Sequence, residues 1–171
     1  MIYMIMSCNT KSNSGDASAT DNSSNLKDTL TYAYKATYSS DITVPSHPEY
    51  AQKVLTVWKM FETSQVDAMK AFYADTITYE DATGMKYHGS IDGLLGFVRK
   101  EKETLDSMRF DISRWESAHV NDKNEDWVSI WATERTYPKK GKADTILMQE
   151  NWMIKDGKVA YFNEYKAKPA R

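Results

Sequence analysis

From Met108 to Lys166 the chain alternates apolar and polar residues with a period of two, interrupted only at NDKNE, PKKG and Asp156-Gly157. That period belongs to extended strands whose two faces meet different surroundings, and turn residues at the breaks make successive strands antiparallel neighbours. Four long strands are expected: Met108–Val120, Trp127–Tyr137, Ala143–Lys155 and Lys158–Lys166. Upstream the period changes to that of a helix. Ser46, Pro48 and Glu49 spell a capping box with proline in the first turn. Tyr50, Val54, Val57, Trp58 and Phe61 then share one helical face as far as Thr63. A short helix over Val66–Tyr73 and a third through Ile91, Leu94, Leu95 and Val98 to near Leu105 complete the set. Helices followed by a meander of long strands predict an α+β domain, three N-terminal helices packed on a strongly curved antiparallel sheet.

The same parity test exposes two carboxylates on apolar faces. In FYADTITYEDATG, Asp81 shares its strand face with Ile77 and Tyr79, while Glu80 lies with Thr76 and Thr78. On the third long strand Glu150 falls within the stripe Ile146, Met148, Trp152 and Ile154. A carboxylate on a buried face must be protonated, hydrogen-bonded or paired. Two in one hollow would have pKa values pushed apart, as acid–base chemistry exploits. The competing readings are structural: Asp81 serving the Thr83-Gly84 turn, and Glu150 satisfied by Tyr or Trp donors in a closed core. Candidate ligand-binding residues around such a hollow are Val57, Trp58, Phe61, Tyr79, His88, Met148 and Trp152. Trp115, Trp127, Trp131 and Tyr137 occupy odd-numbered positions on two neighbouring strands, a ligand wall or a subunit interface.

Several classes are set aside. Net charge is −2, from 22 basic and 24 acidic residues, which gives no footprint for a nucleic-acid backbone. Three scattered histidines and one cysteine support neither a metal site nor an internal disulfide, and no cofactor motif is present. No apolar run has the ~20 residues needed to cross a bilayer as a helix. A surface anchor is another matter. MIYMIMSC, followed by polar NTKSNSGDASATDNSSN, resembles the end of a bacterial lipoprotein signal. That resemblance implies lipidation of Cys8 and a periplasmic or cell-surface location in the envelope; the alternative is a disordered tail with an incidental thiol. The expected organisation is a signal remnant over 1–8, a polar tether over 9–25, an extended arm over 26–45 and one domain over 46–168.

The order of elements, with FYADTITYEDATG followed by YHGSIDGLLGFV, resembles the nuclear-transport-factor-2-like superfamily and its SnoaL-like and ketosteroid-isomerase-like members. The resemblance implies a cone of three helices on a curved sheet, a pocket in its hollow and, often, a homodimer. It also implies a general base at Asp81 and a protonated acid near Glu150. In ketosteroid isomerases an apolar site keeps such an acid neutral. The isomerases' oxyanion tyrosine falls on Val57, which has no donor, so steroid isomerisation is not expected. Three functions follow: binding of a small, partly apolar molecule; isomerase, cyclase or lyase chemistry with Asp81 as base; or a filled cone serving dimerisation or a partner protein.

Overall fold

The structure, a computed structural model, describes residues 36–39 and 41–170. Cys8, the expected tether and most of the expected arm lie outside the described residues. In chain order the elements are β1 (Ile42–Thr43), α1 (Pro48–Glu62), α2 (Val66–Met69), β2 (Tyr73–Asp81), β3 (Lys86–Ser90), α3 (Ile91–Glu103), β4 (Leu105–Val120), β5 (Glu125–Pro138), β6 (Asp144–Lys155) and β7 (Lys158–Ala167). The fold is α+β, with three helices and a curved seven-stranded sheet in the order β1-β4-β5-β6-β7-β2-β3.

Period-two patterning and turn chemistry account for the meander. Strands β4 to β7 pair antiparallel in sequence, and the Asp156-Gly157 turn reverses β6 into β7 with both residues at positive φ, 51° and 71°. The expectation of a wholly antiparallel sheet is corrected at one place: β2 pairs parallel with β7. Three reversals leave β7 opposite in direction to β4, and β2, entering from the helices, docks on that free edge running the same way. Such a pairing is invisible to local pattern.

Helix boundaries also shift. The expected second helix ends at Met69, a single tight turn spans Lys70–Phe72, and Tyr73 already begins β2. The capping box at Ser46 and Glu49 does not form. Backbone hydrogen bonding draws Ser46 toward β4, with its N–H on the Ser117 carbonyl at 3.1 Å, so His47 takes the cap position at φ 46°. Glu49 then meets the His47 ring at 3.0 Å. Ser90 caps α3 instead, accepting from the Gly93 N–H at 3.2 Å. A Cβ at Gly93 would overlap the Tyr87 hydroxyl, which donates to the Ser90 carbonyl, so a larger residue there would displace that ring.

The core lies between the helices and one face of the sheet. Val54, Val57 and Trp58 of α1 and Leu94 and Leu95 of α3 are buried against Ile77, Val128, Ile130, Trp152 and Ile154. Even-numbered residues of β5 and β6 face this core, and odd-numbered residues face away. A bulge between Ile112 and Arg114 breaks that parity on β4: Ile112 pairs with Ala132, but Trp115 pairs with Ile130. Trp115 therefore stands on the helix side near Leu55, while Trp127 and Trp131 stand on the opposite face. The expected grouping of the three tryptophans is corrected by this single extra residue.

Candidate functional site

The helices do not fill the hollow. Between α1, α3 and the sheet a cavity of about 260 Å³ remains. Its walls are Trp58, Phe61, Phe110, Tyr79, Trp152 and Phe162 among others. The rings support one another: Trp152 stacks on Phe162 with centroids 4.6 Å apart, Tyr79 meets the same Phe162 at 4.7 Å, and Trp58 meets Phe110 at 4.6 Å. Such mutual packing holds an apolar wall in place without a ligand.

Into this apolar enclosure project four carboxyls, Glu101, Glu134, Glu150 and Glu164, and one ammonium, Lys166. Strand register explains their closeness. Glu150 and Glu164 are direct cross-strand partners on β6 and β7, and one row along Met148 pairs with Lys166. Glu134 follows Val128, Ile130 and Ala132 on the inward face of β5. Glu150 is 6% exposed, and its Oε2 accepts the Trp152 indole N–H at 2.8 Å. Burial first, then the Glu164 carboxylate, push the Glu150 carboxyl well above its ordinary value. Glu164 accepts the Tyr79 hydroxyl at 3.0 Å and pairs with Lys166 Nζ at 3.0 Å. Burial disfavours the charge on Lys166, yet Glu164 and Glu134 outweigh it and hold its pKa above the usual lysine value. Glu134 is raised by burial and by Glu101 and Glu164, against the opposing pull of Lys166. The result is a proton-holding, acidic pocket with aromatic sides.

Of the residues singled out from sequence, Val57, Trp58, Phe61, Tyr79, Glu150 and Trp152 are brought together around the cavity. Met148 shares their face but is buried in the core beside it. Asp81 is corrected. Its parity is right, for it pairs with Glu164 and follows Tyr79 on the same face, but it is the last residue of β2 and its carboxylate turns back into the chain. Oδ1 accepts the Thr83 hydroxyl at 2.6 Å and the N–H groups of Thr83 and Met85 at 2.9 and 3.0 Å. The Thr83 hydroxyl leads the causes that hold its pKa below the ordinary aspartate value, the opposite of what burial in the hollow would do. His88 is corrected as well. It pairs across from Thr78 and hydrogen-bonds its hydroxyl at 2.8 Å, on the sheet face away from the cavity. Glu134, Glu164 and Lys166 were not foreseen. The parity test on β5 would have found Glu134, which closes the stripe Val128, Ile130, Ala132; Glu164 and Lys166 alternate with Phe162. Among the described residues no group of His, Cys, Asp and Glu could hold a metal ion.

Known structures share this architecture. An epoxide hydrolase of the LEH-like type from M. tuberculosis superposes with a TM-score of 0.60 at 13% identity, covering 70% of this chain and 84% of that one. A SnoaL-like polyketide cyclase, so named provisionally, from Shewanella putrefaciens gives 0.57 at 13% identity, over 71% and 81%. A protein of ketosteroid-isomerase-like fold from Catenulispora acidiphila, solved with trimethylamine, gives 0.54 at 17% identity, over 70% and 86%. At these identities the likeness is one of fold alone. No curated protein matches the chain by sequence. The model of the SnoaL-like domain matches residues 54–162, well over half the chain, and the protein belongs to that family.

Proposed function

We propose that this is a cell-envelope SnoaL-like domain that binds a small, partly apolar molecule in its cone. The observation that carries the reading is the aromatic-walled cavity of about 260 Å³ with Glu150 buried in its lining. A filled cone would leave no such space. The volume lies just below the ~300–1,000 Å³ usual for ligand pockets, which suits a single-ring compound better than a fused polycyclic one. Apolar walls favour the body of the ligand, and the few converging polar groups orient it.

Titration of the protein with phenethyl alcohol, followed by calorimetry and ligand-observed NMR, tests the site. Binding is expected to be lost in Val98→Phe, which adds bulk to a lining residue. Equal binding by that variant would place the ligand elsewhere and overturn the reading.

A second reading, proton transfer in the same cavity, is favoured by the facing of Glu150 and Glu164 across β6 and β7. A protonated acid beside a carboxylate held by Tyr79 and Lys166 is a general acid–base arrangement. The base in that reading is Glu164, since Asp81 is engaged in its turn. Exchange of the α-protons of cyclohexanone for deuterium, lost in Glu164→Gln, tests it.

The envelope location rests on the IMSC junction at Cys8 and the Ser-, Asn- and Asp-rich segment behind it. Intact-mass measurement of membrane-fractionated protein from its native host is expected to show a lipidated cysteine. Two copies are proposed to pair through the sheet face away from the helices, where Leu147 and Tyr165 are exposed beside Trp131.

A further inference from the structure

Glu134 is the least accounted-for group in the cavity. It is 5% exposed, yet among the described residues nothing donates a hydrogen bond to its carboxyl and no ammonium or guanidinium lies within ion-pair distance. Its oxygens are not sealed in protein either, because no fully enclosed polar atom among the described residues lacks a partner. They open into the cavity that Glu134 lines. A buried carboxyl without a partner is costly, by an amount comparable to several hydrogen bonds. Native structures complete such a group with ordered water, an ion or a bound ligand.

The surroundings decide what kind of ligand. Lys166 is engaged by Glu164, leaving Glu101 and Glu134 in excess at that end of the cavity. Lys102, the other cation nearby, directs its ammonium to the Glu62 carbonyl and the Met108 sulfur and over the Phe61 ring. An anion would face Glu101, Glu134 and Glu164 together. A neutral hydrogen-bond donor would satisfy one oxygen and leave the charge excess in place. A cation answers both, and Phe110, the cross-strand neighbour of Glu134, offers a ring face of the kind that favours ammonium groups.

We infer that the cavity takes an organic cation, a protonated amine on a small aromatic or alicyclic body, with its ammonium against Glu134 and its body toward Trp152 and Phe162. This rests on the cavity being a ligand site, as proposed above, and adds the charge of the ligand. Burial and the neighbouring carboxyls of Glu101 and Glu164 raise the Glu134 pKa above the ordinary glutamate value, and an ammonium seated against it would lower it again.

Three probes with one body and different heads separate the two claims: phenethylammonium, phenethyl alcohol and hydrocinnamate, each titrated calorimetrically into the whole protein at neutral pH and low salt. The amine is expected to bind about tenfold tighter than the alcohol, and the carboxylate weakest. Glu134→Gln should remove about tenfold from the amine and leave the alcohol within about twofold. If that variant fails to fold, Glu101→Gln, at a more exposed position of the same cavity lining, should narrow the amine's advantage in the same sense. Equal binding of amine and alcohol, or a preference unchanged in both variants, overturns the inference while the pocket stands. No binding by any probe overturns the pocket reading and this inference with it.

Discussion

Replacing Glu150 by Gln separates the burial of this group from every other role. The side chain is 6% exposed and holds the Trp152 indole N–H at 2.8 Å, a bond the glutamine carbonyl can keep. In acid, where Glu150 is protonated in both folded and unfolded chains, the two proteins differ only by an amide in place of a carboxyl, worth about 1 kcal/mol or less. As pH rises the unfolded chain releases its proton first, because burial and Glu164 raise the folded pKa. The unfolded state then binds fewer protons than the folded one, so wild-type stability falls with pH. The stability that protonation lends is complete below the unfolded pKa and lost as pH rises through the folded one. The loss is about 1.4 kcal/mol for each pH unit separating the two pKa values. For a domain of this size that is roughly 4 °C in Tm per unit. The glutamine variant lacks this titration. Thermal melts of both proteins from about pH 4.5 to about pH 8 should therefore diverge, the variant gaining on the wild type as pH rises. Glu101 and Glu134 also hold raised pKa values, but they are common to both chains and largely cancel in the difference. Parallel curves would mean that position 150 carries no buried titration, and the account of the cavity's chemistry would fall.

Asp81→Ala should lower Tm at neutral pH without altering phenethyl alcohol binding, because its carboxylate serves the turn through Thr83 and Met85. Its pKa is depressed, so this stability is present above the unfolded value and lost as pH falls through the folded one; melts of the two proteins should converge in acid. Gly157→Ala should cost about 1–2 kcal/mol in denaturant unfolding, since φ is 71° and a Cβ would meet only Lys53 Nζ at 3.7 Å, leaving backbone conformation as the whole penalty. Light scattering of the chain from Asn9 onward should report a dimer at micromolar concentration that Tyr165→Glu converts to monomer, and a monomeric wild type would refute pairing through that face.

What was legible in this chain is what a period of two can encode. Alternation places a residue on a face, and on that count Asp81, Glu150, Tyr79 and Trp152 were all read correctly. It does not say how far along the face the hollow extends. Asp81 sits one step past Tyr79 in the inward series, yet that step carries it to the last residue of β2, beside a turn whose donors its carboxylate can reach. Nor does alternation survive an inserted residue. Past the bulge on β4 every side chain changes face, which is why Trp115 parts from Trp127 and Trp131 although all three bear odd numbers. The charged end of the cavity was hidden for a third reason. Glu134, Glu164 and Lys166 lie on three positions of two strands that never touch, β5 and β7, and only the intervening β6 brings them to one row-and-diagonal patch. Parity on its own strand assigns each of them a face, but only the register across β6 shows that they meet. The acidity of the hollow is thus a property of register, set by where the turns between β5, β6 and β7 fall. Lengthening the 139–143 connection would leave the face of every side chain on β5 unchanged but could slide Glu134 out of line with Lys166, so the same composition would build a different site.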